Sequence, residues 1–335
     1  MISKGSIGVA GAGSIGCFVG GMCAAAGRRT AFLGRPRVIG EIQAHGLRLT
    51  SPEGLDRKVG SHELILSQAP EILRDAAVVL VTVKSKDTAE MADIIARHAP
   101  ADAIIVSLQN GVGNVAVLRE RLPGRRVLAG MVPYYVIAAG QGQYRRAMRG
   151  DILLEQDDNR TAEQLSVPGL VVRPHPDITG VQWFKLLINL NNAINALADL
   201  PVSRQFARRA WRMLLADQML EALAVLQAKG IKPVAWTPVP ASWTPHVLRL
   251  PDAVFALMGG AIKTDPEARS SMWDDLKLRR PTEIDHLQGL IMDMADECGL
   301  KVPLTRRIHA LVKSAEAEAK GSAGLTPEQI RPWTG

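Results

Sequence analysis

Five short stretches in the first half of the chain are apolar almost throughout: IGVAG (7–11), TAFLG (30–34), VVLVTV (78–83), IIVSL (104–108) and VLAGM (127–131). None alternates polar with apolar positions, so each predicts a strand buried on both faces, as in a parallel sheet covered by helices. Residues 14–26, 86–97 and 113–121 carry the helical spacing expected of the crossovers between them. Two other segments, 46–59 and 143–156, contain glycine turns and predict hairpins added antiparallel at a sheet edge. Beyond PHPDITG (174–180) the pattern changes to long helical stretches with almost no strand signal. The expected architecture is therefore an α/β domain with a mostly parallel sheet over residues 1–178, followed by an all-α domain over 179–335.

Two segments fall outside this rhythm. KPVAWTPVPASWTPH (232–246) is rich in Pro and Trp and predicts an irregular loop with no room for a helix. The C-terminal SAGLTPEQIRPWTG predicts a turn and a partly mobile tail.

Composition narrows the class. A chain of 335 residues, 47% hydrophobic and 22% charged, buries a large core and favours two domains over one. The net charge of +7 points to anionic partners. Its basic residues, however, are scattered as short pairs such as Arg125-Arg126 and Arg279-Arg280, and only 4% of residues are aromatic, so no nucleic-acid footprint is expected. Three cysteines, Cys17, Cys23 and Cys298, form neither a disulfide framework nor a zinc pattern and suit a reducing cytoplasm. Residues 6–27 carry no charge, as in a signal peptide, but seven glycines interrupt them. No targeting segment and no membrane span are expected.

Those glycines have a better use. VAGAGSIG places Gly11, Gly13 and Gly16 in the spacing GxGxxG, directly after a strand and into a helix that opens with Ser14 and Ile15. Gly11 permits the tight turn, Gly13 lets backbone approach a pyrophosphate, and Gly16 lets helix and strand pack closely. An NAD site would place Asp or Glu at the end of the second strand, whereas this strand ends FLGRPR. Arg35 there suits the 2′-phosphate of NADP (NADPH), while Arg37 reads as either a second phosphate ligand or an ordinary loop arginine. Lys84, in VTVK, and Asn110, in SLQNG, end two further strands, on the side where open α/β sheets bind ligands.

In the helical half, QWFKLLINLNNAINAL puts Lys185, Asn189 and Asn192 at i, i+4 and i+7, one polar stripe on an apolar helix. Asparagine is a poor helix former, so a stripe facing water would be expected to carry long charged side chains instead. A functional stripe is the stronger reading, with Lys185 as the proton donor. Glu283 and His286 make a single E-x-x-H; a two-metal bundle site needs a second copy, and no metal is expected.

Taken in order, GAGSIG, Arg35, VTVK, LQNG, WFKLLIN, SSM and PTEID resemble the ketopantoate reductase (2-dehydropantoate 2-reductase) family over nearly the whole chain. The resemblance implies a Rossmann domain followed by a helical domain, with NADPH and a 2-keto acid meeting in the cleft between them. By the same resemblance Lys185 is the general acid and Glu283 binds the substrate hydroxyl. Asn110, Asn189, Asn192 and Ser271 would position substrate and nicotinamide, and Pro281 would start or kink the helix carrying Glu283. The family pattern has a Gln shortly after the strand lysine, where this chain has Lys86 and Asp87. It often has a second asparagine where this chain has Ala193. The expected activity is reduction of ketopantoate, in pantothenate biosynthesis, or of a related 2-keto acid. The alternatives are a related hydroxy-acid dehydrogenase and a catalytically silent NADP-binding sensor. A homodimer through the helical domain is also expected, with VFALMGGAI (254–262) reading equally as interface or as core.

Overall fold

In a computed structural model of the chain, the structure describes residues 6–257 and 267–331. Two compact units divide it, Met1–Ile178 and Thr179–Gly335.

The first unit is α/β. Its elements run β1 (Ser6–Ala10), α1 (Ser14–Ala25), β2 (Thr30–Leu33), α2 (Pro36–His45), β3 (Leu47–Thr50), β4 (Asp56–Val59), β5 (Ile65–Ser67), β6 (Ala76–Val81), α3 (Thr88–His98), β7 (Ile104–Ser107), α4 (Asn114–Arg121), β8 (Val127–Met131), β9 (Val136–Gly140), β10 (Gln143–Arg146), β11 (Ile152–Glu155), α5 (Thr161–Leu165) and β12 (Val172–His175). Eight strands form one sheet in the order β12-β11-β8-β7-β6-β1-β2-β5. From β8 to β5 every pairing is parallel, and β11 joins β8 antiparallel. The apolar runs account for this: every residue of β1, β2, β7 and β8 is buried. The strand order reverses direction at β1, which leaves a crevice at its carboxyl end.

A second sheet, β4-β3-β10-β9, corrects two expectations. The hairpin in 46–59 forms, as β3 and β4, but does not edge the main sheet. The stretch 143–156 is no hairpin at all, because β10 pairs with β9 and β3 while β11 pairs with β8 and β12. Helix α1 packs against strands of both sheets. A helix covered on two sides has no face for charge, which accounts for the uncharged stretch. A Cβ on Gly20 would lie 2.5 Å from Val9 on one side, and one on Gly21 2.9 Å from Leu49 on the other. Cys17 and Cys23 share this helix, and burial pushes both thiols up to about 12.

Among its described residues every regular element of the second unit is helical: α6 (Ile178–Asn189), α7 (Asn191–Ala198), α8 (Val202–Phe206), α9 (Arg209–Ala228), α10 (Thr244–Leu248), α11 (Asp252–Phe255), α12 (Ser271–Lys277), a π-helical turn (Asp285–Gly289), α13 (Leu290–Glu297), α14 (Pro303–Glu318) and α15 (Pro327–Ile330). The Pro/Trp segment is irregular up to Trp243, but α10 then begins inside it, since Pro245 stands in the first turn, where no intrahelical N–H is needed. Buried Arg212 of α9 ties the far end of this segment down, donating to the carbonyls of Leu248, Phe206 and Leu250 at 3.1, 2.7 and 2.7 Å and pairing with Asp252 at 2.8 Å. The tail is pinned, contrary to expectation, through Ile330. Leu325 N donates to Leu197 O at 2.8 Å, Thr326 and Gln329 form a capping box, and Arg331 pairs with Asp217 at 2.7 Å. Of VFALMGGAI, residues 258–262 lie outside the described residues; Phe255 is buried and Leu257 is 87% exposed. No described helix is long and apolar enough to cross a membrane.

Candidate active site

The glycine turn sits where β1 delivers it. Gly11 N and Ala12 N donate to Leu33 O at 3.1 and 2.9 Å, and Thr82 Oγ1 donates to Gly11 O at 2.5 Å. Gly11 has φ +105°, and a Cβ on it would meet Val83 at 2.7 Å. A Cβ on Gly16 would lie 2.5 Å from both Gly11 O and Thr82 Oγ1, so helix and strand touch there. Gly13 differs: the nearest atom to its Cβ position is Thr82 O at 3.9 Å, leaving open space above the turn. The first intrahelical bond runs from Cys17 N to Gly13 O at 2.8 Å, so the amides of Ser14, Ile15 and Gly16 come before it and lack helical acceptors. An open site ringed by such amides fits a dinucleotide pyrophosphate.

The neighbouring strand ends are braced by a polar network that sequence reading missed. Lys84 follows β6 and Asn110 follows β7, on adjacent parallel strands. Between them Gln109 Nε2 donates to Val83 O at 3.1 Å and Thr88 Oγ1 at 2.7 Å. Thr88 Oγ1 donates to Asn114 Oδ1 at 3.0 Å, and Asn114 Nδ2 donates to Asn110 O at 2.9 Å. Gln109 stood inside the LQNG motif, so its polarity at a strand end was the available signal. Arg35 lies at the end of β2 as the residue preceding α2, 84% exposed, and pairs with Asp87 at 3.6 Å. Arg37 pairs with Glu41 one helical turn on, at 3.4 Å, an ordinary surface pair.

In the second unit, Lys185 and Asn189 lie on α6. Their stripe continues across a break, since Leu190 separates α6 from α7, which carries Asn192. Phe184, Leu186 and Leu187 beside the lysine are buried, and burial pushes the Lys185 ammonium down to about 8. Asn189 is buried and Asn192 half-buried, while Ala193 is buried in the apolar core of α7. Trp236 packs edge-on against Phe184, with ring centroids 4.9 Å apart, so the Pro/Trp segment lies on the helix of the lysine.

Two remote segments are tied to this break. Ser270 caps α12, accepting from Trp273 N at 3.2 Å. Its hydroxyl donates to Asn192 O at 2.9 Å, and its N–H donates to Asn195 Oδ1 at 2.8 Å. Ser271, the predicted residue, follows it in the first turn and is exposed. Glu283 is half-buried and stands just before the helical segment, which starts at Ile284, so the helix does not carry it and Pro281 lies upstream of any kink. The π turn that follows sends Gln288 inward, where its Nε2 donates to Leu190 O at 3.0 Å; its Oε1 is buried without a hydrogen-bond partner. π turns occur frequently at functional sites. Asp274 and Asp285 are exposed, and Asp285 pairs with His309 and Lys313 at 2.7 and 3.1 Å. Sequence reading missed Ser270, Asn195 and Gln288, whose partners are distant in the chain.

A glycine turn at the switch point of a parallel sheet, followed by a helical unit, defines the class as a Rossmann-type fold of the NAD(P)-dependent oxidoreductases. Residues 7–159 match the family model described as ketopantoate reductase PanE/ApbA, and residues 177–316 match its C-terminal counterpart. The chain belongs to the ketopantoate reductase family. A PanE/ApbA family ketopantoate reductase from Ralstonia eutropha JMP134 superposes with a TM-score of 0.79 and 31% identity, over 94% of this chain and 99% of that one. The 2-dehydropantoate 2-reductase of Halobacterium salinarum is 27% identical over 319 residues, 92% of this chain and 98% of its own length. D-mandelate dehydrogenase, solved with NADH and anilino(oxo)acetate, shares the fold with a TM-score of 0.75 at 20% identity, over 94% of this chain and 99% of that one.

Proposed function

We propose that this chain reduces 2-dehydropantoate, or a related branched 2-keto acid, to the 2-hydroxy acid with NADPH. The first unit holds the dinucleotide, through Gly11, Gly13, Ser14, Ile15 and Gly16 at the pyrophosphate and Arg35 at the 2′-phosphate, with Lys84 and Asn110 beside the nicotinamide end. The bound dinucleotide supplies the hydride. As the keto carbon takes it, the carbonyl electron pair moves to oxygen, and Lys185 stabilises that charge and delivers its proton there. Asn189, Asn192 and Ser271 orient the acid, and Glu283 accepts the substrate hydroxyl. Trp236, lying on Phe184, makes the 232–246 segment the natural selector of the keto acid's side chain. We place this chemistry in a cytoplasmic homodimer formed through the helical unit.

The observation that carries this reading is Lys185. A lysine brought down to about 8 holds a proton at neutral pH and releases it readily, which a lysine at its ordinary value does poorly. The test is consumption of reduced nicotinamide by the purified chain with ketopantoate, using NADPH and NADH in parallel. NADPH-selective turnover that collapses in Lys185→Ala supports the assignment. NADPH binding without turnover sinks ketopantoate as substrate.

A further inference from the structure

The end of β2 lacks the carboxylate that an NAD site uses, yet the fold brings one there from another segment. Asp87 stands at the N-terminus of α3, positioned by its N–H, which donates to Lys84 O at 2.9 Å. One carboxylate oxygen pairs with Arg35 at 3.6 Å, and the other lies 3.7 Å from Lys86 Nζ. The group beside β2 is therefore two cations sharing one anion, with Asp87 the least exposed at 29%. A 2′-phosphate has to take both cations from that carboxylate, whereas a ribose bearing a free 2′-hydroxyl meets in it an acceptor.

We propose that Asp87 is a cofactor-specificity residue: its carboxylate competes with the 2′-phosphate for Arg35 and Lys86 and narrows the preference for NADPH over NADH. This rests on the reading that Arg35 faces the adenosine ribose. Asp87→Asn keeps the size of the side chain and its fitness at a helix N-terminus while raising the local charge by one. Dissociation constants for NADPH, NADH and 2′,5′-ADP, from titrations of wild type, Asp87→Asn, Lys86→Ala and Arg35→Ala at low and high salt, test it. In Asp87→Asn, NADPH and 2′,5′-ADP should bind about threefold to fivefold more tightly, the scale of an exposed ion pair. NADH should not gain, and the advantage should shrink with salt. Lys86→Ala should weaken NADPH and 2′,5′-ADP alone. An unchanged NADPH to NADH ratio in Asp87→Asn, with Arg35→Ala still losing NADPH, overturns this proposal and leaves the reading of Arg35 standing. Wild-type NADPH affinity in Arg35→Ala overturns both.

Discussion

The turn from Gly11 to Gly16 and the surroundings of Lys185 both present polar groups beside a sealed apolar core, and they do so by opposite means. At the turn the groups are main-chain amides within six consecutive positions, and of its three glycines Gly11 and Gly16 have no room for a Cβ while Gly13 has. Around the α6–α7 break, one turn beyond Lys185, the groups are side chains of α6 and α7, the Ser270 cap of α12 and Gln288 of the π turn. They are held in register by bonds such as Gln288 to Leu190, 98 residues apart. A site built of backbone is set by local spacing, whereas a site built of side chains depends on every segment arriving. The first should therefore fail by steric crowding, and the second by loss of charge or registration.

The largest effect is expected at Lys185. Lys185→Met should lower the rate of keto-acid reduction by about 10² to 10⁴, measured as kcat under saturating NADPH. In the wild type the same rate should fall as pH rises through about 8, where the lysine loses its proton. Stability should move the other way. The lysine's value falls from 10.5 to about 8 on folding, so between those limits the unfolded chain holds more protons and stability rises with pH. Below about 8 the whole penalty is present, on the order of 3 kcal/mol. Lys185→Met should thus be more resistant to denaturant than wild type at pH 7, with the gap closing toward pH 10. A variant that is less stable at pH 7 contradicts the buried charge.

Crowding is tested by two alanines three positions apart. Gly16→Ala, whose Cβ meets backbone at 2.5 Å, should cost about 1 to 3 kcal/mol in thermal unfolding. Gly13→Ala should melt as wild type does and weaken dinucleotide binding alone. Equal melting of the two erases the contrast. A smaller loss is expected in Gln288→Leu, about 1 kcal/mol, because Leu190 O loses its donor while an unpartnered acceptor is removed as well. Its kcat should drop more than its KM rises, since registration rather than contact is lost. Smallest of all, Arg37→Ala should change stability by under about 0.5 kcal/mol and leave NADPH affinity alone, as befits an exposed pair one helical turn apart.

How much was legible follows the same division. The apolar runs at 7–11 and 104–108 became central strands because uninterrupted burial on both faces writes itself into composition. The stretch 143–156 carried strand signals too, but its partners were misassigned: alternation says that a strand has two faces, and not which sheet it joins. Pro245 argued against a helix that nevertheless begins there, since a proline excluded from a helix interior is welcome in its first turn. The stripe of Lys185, Asn189 and Asn192 was visible as a period, whereas the break at Leu190 and the donor from Gln288 were not.

By itself, the sequence of this protein determined the parallel sheet, the glycine turn with its helix, the helical character of the second half, and the family. Each is encoded by spacing within one segment, through burial period or through the room a missing Cβ leaves. Only the tertiary structure decided that α1 lies between two sheets, that Asp87 reaches Arg35, and that Ser270 and Gln288 close on either side of the α6–α7 break. Those relations join side chains distant along the chain, and a hydrogen bond or ion pair between remote segments imposes no period on either of them.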